Sequence, residues 1–183
     1  GIVRDMSRIH KILDIDSLNL PVLVEPGLIH AALNRSLEPY GFFFPPDPGS
    51  SEMCTQGGLI ANRGSGMRSV KYGTVTDYVL DLEVVMPDGT VIQTGGKVMK
   101  SASGYDLTAL MVGSEGTLGV ITGARFKIHP LPEARAAVLA HFNDLEVAGR
   151  AISAIMGRGL VPSACELMDS TTIRAVNMYD PDL

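Results

Sequence analysis

The sequence predicts an α+β fold: a mixed or antiparallel sheet flanked by helices, followed by the opening of a second α+β unit. Three observations lead there. Two strand patterns are joined by Asp88-Gly89, a strong hairpin signal. Hairpins and loops, not alternating strands and helices, dominate the chain before Pro130, which argues against a doubly wound sheet. Pro130 and Pro132 then interrupt the pattern, and its texture changes beyond them.

The elements follow in order. Residues 21–26 form a short strand. Residues 27–40 carry apolar Leu28, Ala31, Ala32 and Leu37 at the spacing of an amphipathic helix packed on a sheet. Gly41 ends that helix. Phe42-Phe43-Phe44 is apolar enough to be buried. Residues 45–51 cannot be regular, because their prolines fix φ and remove donors. Residues 57–66 form a glycine-rich stretch. Residues 80–87 and 90–94 are the two strands of the hairpin. Residues 106–111 belong to a helix. A second glycine-rich stretch, residues 113–122, leads into a strand at 125–129.

Past the prolines, residues 136–142 read as a strand. Residues 144–156 read as a helix capped by Asp144, with Leu145, Ala148, Ile152 and Ile155 on one face and Gly157 and Gly159 as its stop. Residues 163–168 read as a strand and 170–178 as a helix. The division falls at 1–132 and 133–183, and the second unit ends before it could close a core.

The chain's 183 residues suffice for one substantial core, or one domain and a piece of another. With 45% hydrophobic and 19% charged residues the chain is globular, not disordered. A net charge of −5 leaves no basic footprint for nucleic acid. Cys54 and Cys165 fit no metal-ligand spacing, which favours a reduced, cytoplasmic protein. No run spans a bilayer, and Gly1-Ile2-Val3-Arg4-Asp5 is neither a signal peptide nor an initiator start, so truncation or processing is expected.

The glycine loops fit no standard phosphate cradle. Gly95-Gly96-Lys97-Val98 has valine where a P-loop needs Ser or Thr. The stretch from Gly113 to Gly119 has the wrong spacing for a dinucleotide fingerprint and leads into a strand. Glycine still allows close backbone approach and positive φ, so such loops can aim amides at a phosphate. Taken alone they are turns rather than sites by roughly two to one. Cys54 reads as a small buried residue over a covalent attachment point by roughly four to one. His10, His30, His129 and His141 form no triad or metal spacing, so no catalytic residue and no metal ligand is assigned. Asp144 and Glu146 mark a helix start. Met99, Met111, Met156 and Met168 read as core fillers.

The order of the loops is more specific. Pro45-Pro46-Asp47-Pro48-Gly49-Ser50-Ser51, then Gly57-Gly58, Ala61-Asn62, Lys71-Tyr72-Gly73 and the run Glu115-Gly116-Thr117-Leu118-Gly119-Val120-Ile121, resemble the PCMH-type FAD-binding domain of the vanillyl-alcohol oxidase superfamily. Within it the chain is similar to the glycolate oxidase D subunit, D-lactate dehydrogenase and D-2-hydroxyglutarate dehydrogenase group. Residues 1–16 match the segment ahead of the loops, and Ser163-Ala164-Cys165-Glu166-Leu167-Met168-Asp169 matches the start of that group's cap domain. The likeness covers essentially the whole chain.

The resemblance implies FAD as cofactor and gives each segment a role. Pro46, Asp47, Pro48, Gly49, Ser50 and Ser51 would wrap the flavin near its ribityl and pyrophosphate. Gly57, Gly58, Ala61 and Asn62 would pass close to the isoalloxazine and diphosphate, with Tyr72 and Gly73 supporting that wall. Glu115, Gly116, Thr117, Leu118 and Gly119 would lay backbone against the flavin, and Val120 and Ile121 would offer amide and carbonyl groups to the adenine or ring edge. Arg63 stands where relatives commonly carry a second asparagine; it either contacts a phosphate or faces solvent, and solvent is narrowly preferred.

The implied function is oxidation of a D-2-hydroxy acid by hydride transfer to flavin N5. The family's diphosphate loop ahead of Gly1, and most of a cap supplying a histidine-rich motif and the base, lie outside this chain. Three readings stay open: a fragment of such an enzyme, a subunit of a split enzyme completed by a partner, and a non-catalytic scaffold. Weak or absent FAD in the isolated chain is expected. An electron-acceptor subunit, homo-oligomers and a peripheral membrane location are also compatible with the group.

Overall fold

The computed structural model describes residues 5–180. The readings placed on Gly1-Ile2-Val3-Arg4 lie outside the described residues, as do residues 181–183.

Sequence patterning builds one sheet from the outside in. β1 (Ile12–Ile15) and β2 (Pro21–Val24) form a hairpin, and β1 is a strand that the sequence reading missed. Its residues are only half-buried or exposed, so it carries no clean alternation to detect. β4 (Val79–Val85) and β5 (Val91–Gly95) form the second hairpin, and β6 (Val120–Lys127) lies between the two. The order is β1-β2-β6-β4-β5, and every pairing is antiparallel. A short pair, β3 (Phe42–Phe43) with β7 (His129–Pro130), stands apart.

The Asp88-Gly89 hairpin forms, with a longer loop than a two-residue turn. The Met86 amide donates to the Thr90 carbonyl, and the Gly89 amide returns to Met86. Gly89 has φ +87, the left-handed residue that a three-residue loop requires.

α1 (His30–Leu37) runs into a 3-10 turn, Glu38–Tyr40, which Gly41 ends at φ 77. Leu33 and Leu37 are fully buried beneath it, beside Val22 and Val24 of β2 in one core. Phe44 is the hub of that core. Its ring centroid lies 4.6 Å from that of Phe126 and 5.7 Å edge-on from that of Tyr78. Burying one such side chain contributes about 1.5–3 kcal/mol.

Residues 57–66 are not all loop: Gln56–Ala61 is a helix, α2, capped by the Thr55 hydroxyl accepting from the Gly58 amide. Two adjacent glycines concealed it, since glycine lowers helix propensity. Leu59 and Ile60 anchor α2 in the core. A short turn of helix, α3 (Ser69–Tyr72), ends at Gly73. α4 (Leu107–Met111) forms where a helix was expected, and Asp106 caps it. β6 begins at Val120, well ahead of the expected residue 125. Its edge residues Val120 to Thr122 are only half-buried, so the glycines before them masked the start.

Beyond β7 the two expected helices form, α5 (Leu145–Gly157) capped by Asp144 and α6 (Ser170–Tyr179) capped by Asp169. The two expected strands, residues 136–142 and 163–168, do not form. Between residues 133 and 180 only Ala148 is buried, so nothing pairs or covers those apolar runs. Leu145 and Ile155, on the apolar face of α5, are 59% and 39% exposed. The methionines also divide. Met111 is a core filler, but Met99 and Met168 are 58% and 57% exposed and Met156 is half-buried.

Candidate functional site

The proline loop, residues 45–51, leaves β3 and cannot join a ladder. It is held instead by side chains. The Phe44 amide donates to Asn34 Oδ1 at 2.8 Å. Arg68 Nε pairs with Asp47 Oδ2 at 3.0 Å, both partners partly exposed. Pro46 is buried and its carbonyl accepts from His30 Nε2. At its tip, Gly49 and Ser50 are exposed. Among the described residues their amides have no hydrogen-bond partner.

The middle segment touches both flanking loops. Gly66 abuts the proline loop so closely that a Cβ there would lie 1.8 Å from the Asp47 carbonyl oxygen. At the other end, the Gly113 amide donates to Ile60 at 2.9 Å and the Glu115 amide to Ala61 at 3.0 Å. The segment containing α2 therefore joins the proline loop to the 113–119 loop. Glu115 and Gly116 have φ 51 and 74. The amides of Gly116 and Leu118 are unpaired among the described residues, and both residues are exposed.

Each residue expected at the site has a definite place in the fold. Gly57 and Gly58 do not present free amides: Gly57 donates to Pro26, and Gly58 to Thr55 Oγ1. Gly57 is glycine because a Cβ would sit 2.8 Å from that of Pro26. Ala61 ends α2, and the Asn62 side chain beyond it is exposed. Tyr72 packs edge-on against Phe43 and His129, and its carbonyl accepts from Tyr78 Oη at 2.7 Å. Burial pushes the Tyr78 hydroxyl up to about 12, so it remains a donor. Gly73, at φ 82, lies against the Asp77 carboxylate. Thr117 Oγ1 donates to the Ser114 carbonyl. Gly119 packs on Val84, and Val120 and Ile121 open β6 beside β4.

Arg63 is exposed, with Nε donating to Thr76 Oγ1. Cys54 is half-buried. Two side chains escaped the sequence reading. Gln56 is fully buried, yet its amide nitrogen and oxygen both lack partners among the described residues, which calls for water or a ligand. His30 is 1% exposed and reaches the proline loop across the chain, a contact that no local pattern encodes. A cavity of about 520 Å³ lies to one side, lined by Leu28, Ile29 and Thr55 among others. Residues 46–51 and 113–121 do not line it.

Free amides on two joined loops, beside exposed polar side chains, suit an extended ligand rich in acceptors, as a flavin dinucleotide is. A site of that kind would belong to a cofactor-binding class of protein. Residues 1–95, just over half of the chain, match the family described as FAD binding domain, and this chain belongs to that family, whose cofactor is FAD. Residues 131–182 match the family described as FAD linked oxidases, C-terminal domain.

The chain is 41% identical over 179 residues to the glycolate oxidase subunit GlcD of Bacillus subtilis, covering 98% of this chain and 38% of that protein. It is 42% identical over 178 residues to the mitochondrial cytochrome-type D-lactate dehydrogenase of Arabidopsis thaliana, covering 97% and 31%. Among solved structures, an alkyldihydroxyacetonephosphate synthase superposes with a TM-score of 0.75 at 29% identity, covering 87% of this chain and 28% of that one. The chain thus spans well under half the length of the curated relatives it matches. The PCMH-type α+β arrangement is therefore the fold adopted, with an antiparallel rather than mixed sheet.

Proposed function

We propose that this chain supplies a wall of the FAD site in a flavin-dependent oxidoreductase acting on a D-2-hydroxy acid of the glycolate or D-lactate kind. The observation that carries the reading is the pair of loops, tied together through the α2 segment, that leave the amides of Gly49, Ser50, Gly116 and Leu118 exposed and unpaired. FAD held there would supply, at N5, the acceptor for a hydride from the hydroxyl-bearing carbon. The chain's own part is to bind and orient. The amides of Gly49 and Ser50 hold phosphate oxygens. Pro46, Asp47, Pro48 and Ser51 shape the ribityl side. Gly57, Gly58, Ala61, Asn62, Tyr72 and Gly73 form the supporting wall. Glu115, Gly116, Thr117, Leu118, Gly119, Val120 and Ile121 line the adenine or ring edge.

Residues 1–132 form the flavin-binding unit, and 133–183 open the substrate unit, which with its base completes the site. A cytoplasmic location fits, and no described helix is long and apolar enough to cross a membrane. The test is direct. The full-length protein is purified, its flavin absorbance recorded, and dye reduction with glycolate and D-lactate measured. A protein with no flavin, or one inert to both acids and their near homologues, defeats the proposal.

A second reading has support from one relative: GlcD is described as a subunit. On that reading the protein works with a partner chain, such as one that receives electrons. Co-purification of a second polypeptide with the flavin favours it.

A further inference from the structure

The proline loop is fastened from behind by His30, and the chemistry of that fastening decides what the loop offers in front. His30 Nε2 lies 2.5 Å from the Pro46 carbonyl oxygen, and Nδ1 lies 3.0 Å from Ser51 Oγ. A carbonyl only accepts, so Nε2 carries the proton. In the neutral imidazole Nδ1 is then an acceptor, and the Ser51 hydroxyl must donate to it. Neutrality follows from place: the ring is 1% exposed and packs against Phe44. Burial also holds its basicity below the ordinary value. The Ser51 backbone is equally committed, its amide donating to Pro48 and its carbonyl accepting from Ala31. Ser51 itself is half-buried, so its hydroxyl proton points inward and only lone pairs remain for a ligand.

We infer that His30 is a positioning residue that makes Ser51 an acceptor-only group toward the dinucleotide, so that Ser51 takes the proton of a ribityl hydroxyl. The phosphate oxygens, which have no proton to give, fall to the unpaired amides of Gly49 and Ser50. The inference rests on the flavin reading of the same loop. It explains why a buried imidazole, remote from any proton-transfer geometry, sits behind a binding loop. It also gives two neighbouring serines different tasks: Ser50 is exposed and its hydroxyl has no partner among the described residues, whereas the Ser51 hydroxyl is fixed in its donor–acceptor sense.

The test uses full-length protein and two readouts. Imidazole nitrogen NMR on the histidine-labelled wild type reads the tautomer of His30 without any substitution. Nε2–H is expected, and Nδ1–H overturns the inference. FAD dissociation constants are then measured by flavin fluorescence for wild type, Ser51→Ala, His30→Gln and the double variant. Each single change is expected to weaken FAD about tenfold, the worth of one hydrogen bond. The double variant is expected to be no weaker than either single one, because His30 acts through Ser51. Additive losses mean that His30 merely supports the fold, and they sink the inference while leaving flavin binding intact. Wild-type protein that takes up no FAD removes the flavin reading and this inference with it. If His30→Gln does not fold, the wild-type tautomer and the response of Ser51→Ala still decide the matter, since undiminished FAD affinity in Ser51→Ala is incompatible with it.

Discussion

At the scale of single residues, close contacts explain more than conformational freedom does. Gly66 shows no unusual φ, yet an added Cβ would lie 1.8 Å from the Asp47 carbonyl. Gly66→Ala must therefore push the proline loop away, and overpacking of this kind costs about 1–3 kcal/mol. A lower urea midpoint together with faster FAD loss is the expected result; a variant as stable as wild type would mean that the loop yields freely. Histidine charge acts at the same scale. His30 is held below its ordinary value by burial, and His129 by burial and the Lys127 ammonium. The unfolded chain then takes protons first as pH falls, so this contribution to stability is complete above the ordinary histidine value and is lost through the depressed ones. Urea midpoints should drop between about pH 7 and pH 5, and His30→Gln should flatten the slope. His30, Gln56 and the Asp47–Arg68 pair were not legible in sequence. Each depends on partners distant along the chain, or on burial, that no spacing rule records.

At the scale of elements, the hairpin β4–β5 is the best specified. Pro87-Asp88-Gly89 carries its own turn chemistry, with the Thr90 amide donating to Asp88 Oδ1 and Gly89 left-handed. Gly89→Ala meets no atom within 4 Å, so its whole effect is the backbone penalty of about 1 kcal/mol. Thermal melting should show that small loss, with flavin binding unaffected. α1 was legible through its spacing and an αL glycine, and α5 through its spacing and an aspartate cap. α2 was not, because Gly57 and Gly58 are poor helix formers kept for packing against Pro26 and Thr55. The strands expected at residues 136–142 and 163–168 failed for a different reason. Their apolar runs have strand character but no neighbouring strand to pair with among the described residues.

At the scale of the molecule, one core holds the sheet, α1 and α2 together and stops at β7. Amides of β2, β6 and β4, in the middle of the sheet, should therefore exchange with deuterium most slowly. Those of residues 134–143 and of α6, where nothing is buried, should exchange fast in this chain. Slow exchange there would reveal packing that the fold does not show. The same division bears on function, since the loops proposed to line the flavin stand on the packed part. The carboxyl-terminal helices present uncovered apolar faces, and the chain spans 38% of the length of its Bacillus relative.

The sequence by itself determined the class of fold, the central hairpin, the Asp144 helix cap and, through the order of its glycine loops, the flavin family. These rest on local chemistry: turn residues, spacing, and close backbone approach that only glycine permits. Tertiary structure alone decided that the sheet is wholly antiparallel, that β6 runs between the two hairpins, and that His30 grips the proline loop behind Ser51. Those outcomes come from pairing and burial between segments far apart in the chain, where the energy belongs to the contact and not to either stretch of sequence.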